Sequence, residues 1–334
     1  MNVILSHTAE DHSWGFRRVL SESSGIDFEV EYMSTGRGDS RLRSLFCYVV
    51  FPWLVFLRRK RYECIVANQQ FYGILLAFYC RLFGVRKSFR LFVNTFIYLP
   101  KHGLVGRLYF AFMRYAVQSP YIDGFIVRSS HEAQRYPTLF ATDASRFVFQ
   151  PLGLAFDDHA PQVASMRERQ YILSVGRSNR DYTFLIDALQ GSGYHADIIC
   201  DTCTLQPSDT RIVVHRDIHE ALPLWLQNCY CVVIPLRDTE VSSGQLVLLQ
   251  AMQAGKPVIV TRAHAVLDYM IPGETGIAIS NTRGELLEAL SRLYNDDELY
   301  TRLSARSRQV FSERYSAEQE AIRFGQYIAQ VMAS

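Results

Sequence analysis

The sequence predicts an α/β protein of two domains, each built on a parallel sheet with helices on both faces. Three observations lead there. Short apolar, β-rich runs alternate with helix-length stretches along the whole chain, the pattern of parallel strands joined by helical crossovers. At 334 residues the chain is too long for one small core. The alternation pauses once, in a stretch rich in Pro, Asp and His ending at residue 170, which reads as a connection between domains. The expected division is a first domain over 1–152, a linker over 153–170, a second domain over 171–315, and a terminal helix over 316–334 that packs back on the first domain.

In the first half the predicted strands are 2–6 (NVILS), 28–33, 64–69, 88–94 and 124–130. In the second half they are 171–176 (YILSVG), 196–201, 211–215, 231–236 and 257–262. Helix punctuation fits this layout. Ser129 with Glu132 has the spacing of a capping box opening the helix after the fifth strand. The run SSGQLVLLQAMQAGKPV has serines at its start and Gly255 then Pro257 at its stop, as a helix should.

Charge divides unevenly. Residues 1–150 carry 19 Lys and Arg against 11 Asp and Glu, and the remainder carries 16 against 22. The first half therefore favours an anionic partner. Seven cysteines and an N-terminus that turns polar after five residues predict a reduced, cytoplasmic compartment. Cys200 and Cys203 form a C-x-x-C, with Cys229 and Cys231 downstream. Cys200 ends one predicted strand while Cys229 and Cys231 begin another, so the pairs belong to opposite sheet edges; buried thiols are expected rather than zinc.

In an open parallel sheet, ligands bind beyond the carboxyl ends of the strands. Gly176, Arg177 and Arg180 stand at such an end. The glycine lets the chain turn close to a ligand, and the two arginines offer permanently charged forks matched to phosphate oxygens. The alternative is that each arginine pairs with a carboxylate such as Asp181. Ser242, Ser243 and Gly244 stand at a second carboxyl end, opening a helix whose unpaired N–H groups suit an anion or a sugar hydroxyl. That helix, with Leu246 in its apolar set, reads as buried all round. Gln250, seven residues after Ser243, is expected on the same face as the helix start, bonded either to neighbouring backbone or to a ligand hydroxyl.

From 171 to 315, four segments resemble, in order, the donor-binding domain of retaining GT-B glycosyltransferases of family GT4: SVGRSNRDYTFLIDAL, SSGQLVLLQAMQAGKPVIVTR, LDYMIPGETGIAI and LSRLYNDDELYTRLSARSRQVFSERYS. The resemblance implies a GT-B fold of two Rossmann-like domains and transfer from a UDP- or GDP-linked sugar with retention. It implies that Arg177 and Arg180 neutralise the donor diphosphate. It also places Gly176, Ser242, Ser243, Gly244, Gln245, Leu246 and Gln250 around the donor, with Asp217 and Ile218 near the base. Ser242 and Gln250 stand where the family carries glutamates. No cofactor is implied, and with no Asp-x-Asp signature no metal is expected. Acceptor-side candidates, after the first and fourth strands, are His7, Asp11, His12 and Asn94.

The segment 41–61 places an uncharged apolar run, interrupted by Pro52, between Arg41/Arg43 and Arg58, Arg59, Lys60 and Arg61. It is too short to span a bilayer. It reads either as a buried helix with charged ends or as a helix in the headgroup plane of an anionic membrane, which would make the protein peripheral at the inner face. A glycan or lipid-linked acceptor, as in surface polysaccharide or glycolipid synthesis, fits the second reading; no nucleic-acid partner is expected. Two other functions share the two-domain pattern: a nucleotide-sugar epimerase and a non-catalytic nucleotide-sugar binder. A nicotinamide dehydrogenase does not fit, because no glycine fingerprint follows the first strand.

Overall fold

The computed structural model describes residues 1–7, 12–33, 41–155, 171–216 and 222–333, with backbone only at 12–14 and 41–45. They form two compact units: Met1–Pro151 together with Ala317–Ser334, and Leu152–Ser316. Of the expected linker, 156–170 lie outside the described residues. Leu154 belongs to the second unit, donating from its backbone N–H to the Tyr315 carbonyl at 2.9 Å.

The first unit is a six-stranded parallel sheet in the order β2-β1-β3-β4-β5-β6. Its strands are β1 (Asn2–Ser6), β2 (Phe28–Tyr32), β3 (Cys64–Ala67), β4 (Arg90–Val93), β5 (Gly124–Val127) and β6 (Phe147–Phe149). One face carries α2 (Arg41–Leu57), α3 (Gln70–Leu82), α4 (Gly103–Val117) and α5 (Ser130–Phe140), over a core dense in aromatic rings such as Phe96, Phe125 and Phe140. The other face carries α1 (His12–Ser24) and the terminal helix α12 (Ala317–Ala333). These two helices approach closely at Gly325, where a Cβ would lie 2.0 Å from Ser23 Oγ; any larger residue would force them apart. Ser129 is the N-cap of α5, as its spacing with Glu132 predicts. Ser129 Oγ accepts from the His131 N–H, while the buried Glu132 carboxylate accepts from the Tyr136 hydroxyl at 2.9 Å.

The second unit is another six-stranded parallel sheet, in the order β12-β11-β10-β7-β8-β9. Its strands are β7 (Tyr171–Val175), β8 (His195–Ile199), β9 (Ile212–His215), β10 (Cys231–Ile234), β11 (Val258–Thr261) and β12 (Ile277–Ile279). Around them pack α6 (Tyr182–Leu189), α7 (Leu222–Asn228), α8 (Gln245–Gln253), α9 (His264–Leu267), α10 (Arg283–Asn295) and α11 (Asp297–Arg314). Two strands, β6 and β12, had no counterpart in the sequence expectation. Both have three residues and lie at a sheet edge, where one neighbour suffices to hold them and the apolar run is too short to stand out. All seven cysteines are buried and unbridged.

Candidate functional site

The strand order of the second unit reverses between β7 and β10, and the crevice at such a reversal is where an open α/β sheet receives its ligand. Two loops flank it, 176–181 after β7 and 235–244 after β10. They are clasped together by Asn179, which takes up the left-handed conformation at φ +55°. Its amide donates to the Asp238 carbonyl and to Ser243 Oγ, both at 2.8 Å, and its side-chain oxygen accepts from the Asp238 N–H at 2.9 Å. The Asp181 N–H adds a bond to the Pro235 carbonyl at 3.0 Å. Asn tolerates this backbone state because its short polar side chain bonds locally.

Within that clasp Arg180 is only 8% exposed. Its Nε donates to the Val175 carbonyl and its Nη1 to the Ser178 carbonyl, both at 3.0 Å. The guanidinium lies flat over Gly176: a Cβ there would stand 2.8 Å from Nη2 and 3.0 Å from Cζ, and the φ of +125° independently favours glycine. The space the glycine leaves is thus filled by Arg180. Burial pulls the pKa of Arg180 down from its ordinary value, opposed by Tyr182 and Cys200 nearby, and an arginine remains protonated through such a shift. Asp181 is not its counter-ion. That carboxylate caps α6, accepting from the Phe184 N–H at 3.1 Å.

Beside Arg180 opens a cavity of about 310 Å³, lined among others by Arg177, Arg237, Thr202 and Thr204. Arg177 and Arg237 are exposed. Among the described residues none of the three arginines is ion-paired to a carboxylate. Three positive charges from two loops on opposite sides of the switch point thus share one concavity, with no carboxylate paired to any of them among the described residues. Arg237 and Asn179 were not singled out in the sequence. The only local sign of the second was an Asn in a strand-exit turn; nothing local marks the first.

The remaining donor-side candidates separate. Ser243 is engaged by Asn179, and Ser242 Oγ accepts from the Gln245 side chain at 2.5 Å. The helix opens at Gln245 with Gly244 as its N-cap at φ +93°, so the serines precede the helix rather than start it. The expectation of a fully enclosed helix fails. Gln245 is buried while Leu246 is 50% exposed, so α8 is not apolar and enclosed all round. Gln250 is not among the residues that line the arginine cavity. It lines a separate hollow of about 140 Å³ with Leu222, Pro223, Leu226 and Gln253. Arg216 donates twice to the Cys203 carbonyl, at 3.1 and 2.8 Å; Asp217 and Ile218 lie outside the described residues.

In the first unit, His7 and Asn94 stand at the carboxyl ends of β1 and β4. Asn94 is buried. Its amide donates to Asn68 Oδ1 at 3.0 Å, and its carbonyl accepts from Arg128 at 2.9 Å. An amide so engaged holds loops together and carries no basic lone pair. His7 is half-buried, with Nδ1 buried and without a partner among the described residues. Asp11 and the side chain of His12 lie outside the described residues.

The second unit is thus an α/β body with a cavity rich in arginine at the carboxyl ends of β7, β8 and β10. Residues 169–296 match the family described as glycosyl transferases group 1, in agreement with the resemblance borne by the sequence motifs. Solved structures of similar fold include a glycosyltransferase from Rickettsia africae ESF-5 (TM-score 0.66, 12% identity, covering 99% of this chain and 98% of that one). Anabaena Alr3699/HepE in complex with UDP-glucose gives a TM-score of 0.66 at 15% identity, covering 99% of this chain and 98% of that one. Sucrose-phosphate synthase from Thermosynechococcus elongatus gives 0.74 at 16% identity, with the same coverage. These likenesses show the fold, which is GT-B. No curated protein matches the sequence.

Proposed function

We propose that the chain is a glycosyltransferase whose second unit binds a nucleoside diphosphate sugar, with Arg177, Arg180 and Arg237 surrounding the diphosphate. The observation that carries this reading is the convergence on one cavity of three guanidinium groups that pair with no carboxylate among the described residues. The family match and the UDP-glucose in the Anabaena structure of the same fold support a nucleotide sugar, and a uridine one, as the ligand.

The chemistry follows from charge. Breaking the bond between sugar and phosphate builds negative charge on the leaving diphosphate and positive charge on the anomeric carbon. Cationic donors fixed in advance where the negative charge grows lower that barrier, by about 3 kcal/mol for a single well-placed donor. Arg180 is held rigidly by the strand-exit carbonyls and suits this role; Arg177 and Arg237, exposed at the rim, suit capture of the incoming donor. Ser242 is neutral where the resembled family carries a glutamate, so a sugar hydroxyl there would meet a hydrogen-bonding group rather than a charge. Retention of configuration is the outcome the resemblance implies. A glycan or lipid-linked acceptor is assigned to the first unit, whose strand ends carry His7.

The test is incubation of the full chain with UDP- and GDP-sugars, following nucleotide release and the sugar product. Slow donor hydrolysis or transfer, lost in Arg180→Ala, is expected. An epimerised donor, or tight binding with no turnover under any acceptor, would replace this reading by one of its two rivals.

A further inference from the structure

We propose that the outer face of the α2–α3–α4 layer in the first unit docks on a lipid surface bearing anionic headgroups. The inference goes beyond the donor site and does not require it, since it concerns the first unit alone.

Charge is the first observation. From Arg41 to Ile122 the sequence carries thirteen Lys and Arg and one acid, Glu63. Shape is the second. Of seventeen large hydrophobic side chains exposed among the described residues, eleven lie between Phe46 and Leu108. On α2, Phe51, Val55 and Phe56 turn inward into the core, while Phe46, Val49, Leu54 and Leu57 form an exposed stripe along the helix. A water-facing helix would place polar residues there. At the start of α4, Leu104, Val105 and Leu108 are 72%, 68% and 65% exposed, next to exposed Ile97 and Leu99. Lys101, His102 and Arg107 line an open cavity beside these aliphatics.

Apolar side chains protruding from a cationic rim fit the boundary between acyl chains and anionic headgroups. The layer lies on such a boundary rather than crossing it: among the described residues no helix is long and apolar enough to span a membrane, and α2 contains Pro52. A second copy of the chain is the poorer occupant, because it would set one cationic face against another. Not every cation is available. Arg58 is paired with Glu31 at 3.0 Å, and Lys87 and Arg90 are both paired with Asp123 at 2.9 Å, whereas Lys60 and Arg61 are exposed. The segment 41–61 is therefore one part of the surface, and the start of α4 is the other.

The experiment is flotation of the full chain with vesicles of phosphatidylcholine, with and without phosphatidylglycerol, at low and high salt. Binding is expected to the anionic vesicles only and to weaken with salt. The triple variant Leu104→Ser, Val105→Ser, Leu108→Ser should lose about tenfold in vesicle affinity while keeping its melting temperature and its affinity for UDP. Wild type that stays unbound with anionic vesicles, or a triple variant that floats like wild type, would overturn the proposal. A wild-type dimer that becomes monomeric in the triple variant, with no flotation of either, would reassign the face to self-association. UDP affinity in the same samples reports separately on the donor site.

Discussion

Each unit sends a buried arginine from the carboxyl end of a parallel strand, and the two have opposite surroundings. Arg128, after β5, is 6% exposed and meets a carboxylate: its Nη2 donates to Glu320 Oε1 on α12 at 2.6 Å and to Thr95 Oγ1 at 3.0 Å, and its Nη1 to the Gln150 carbonyl at 3.3 Å. Arg180, after β7, is equally buried but meets only carbonyls, and one side of it borders the cavity. The same residue type at the end of a parallel strand is a fastener in one unit and, on the function proposed above, an anion receptor in the other. What decides is whether an acid stands opposite. Changing the counter-ion in the first unit, or removing cations one at a time in the second, tests whether these surroundings set the two roles.

The largest effect is expected from Glu320→Ala. It removes the carboxylate bonded to the buried Arg128 guanidinium, and removing one member of such a pair costs about 3–5 kcal/mol. Urea denaturation should show the loss. Replacing both residues by apolar ones of similar volume should recover much of it, because no lone charge is then enclosed. A Glu320→Ala protein as stable as wild type would mean that Arg128 does not rely on α12 for its charge balance.

Next is Arg180→Ala, expected to cost about 10²–10³-fold in turnover with a smaller loss of stability, since no charge is stranded. Gly176→Ala reaches the same side chain indirectly. The new methyl must displace the guanidinium and also occupies a left-handed φ, at a cost of about 1–3 kcal/mol in stability, with a fall in turnover that follows the displacement. Activity retained in Gly176→Ala would separate the position of Arg180 from catalysis.

How far the sequence foretold this contrast depends on the range of the interaction. The Gly-Arg…Arg cluster at 176–180 was readable because strand, turn and charge adjoin one another. Arg237 was not, since it looks like any charged loop residue; what brings it to the cavity is the clasp by Asn179, made across 59 residues of chain to Asp238. The pairing of Arg128 with Glu320 spans 192 residues and depends on α12 returning to the first unit, so no local pattern announces it. For Gln250 the pattern and the structure point to different hollows.

Removing the rim cations gives a moderate effect. Arg177→Ala and Arg237→Ala should each weaken UDP binding about tenfold, the loss of one charge-assisted hydrogen bond to phosphate at about 1.5–3 kcal/mol reduced by exposure to solvent. Titration calorimetry at two salt concentrations checks it, and the difference between variant and wild type should shrink as salt rises. If Arg237→Ala leaves UDP affinity unchanged while Arg177→Ala lowers it, the loop after β10 frames the cavity without binding the anion.

The smallest effect is predicted for Gln250→Ala, and its smallness is what distinguishes the structure from the sequence pattern. The spacing in the sequence places Gln250 with the donor, where losing a hydroxyl contact would cost about 1 kcal/mol or more in donor affinity. The structure places it in a different hollow, against α7 and half-buried. Binding of UDP and of a UDP-sugar should therefore stay within about twofold of wild type, below the net worth of one hydrogen bond. UDP alone cannot decide the matter, because a residue contacting only the sugar would leave it unaffected. The informative quantity is the ratio of UDP-sugar to UDP affinity: constant in Gln250→Ala if the cavity near α7 is separate from the donor, and lowered if the side chain reaches the sugar.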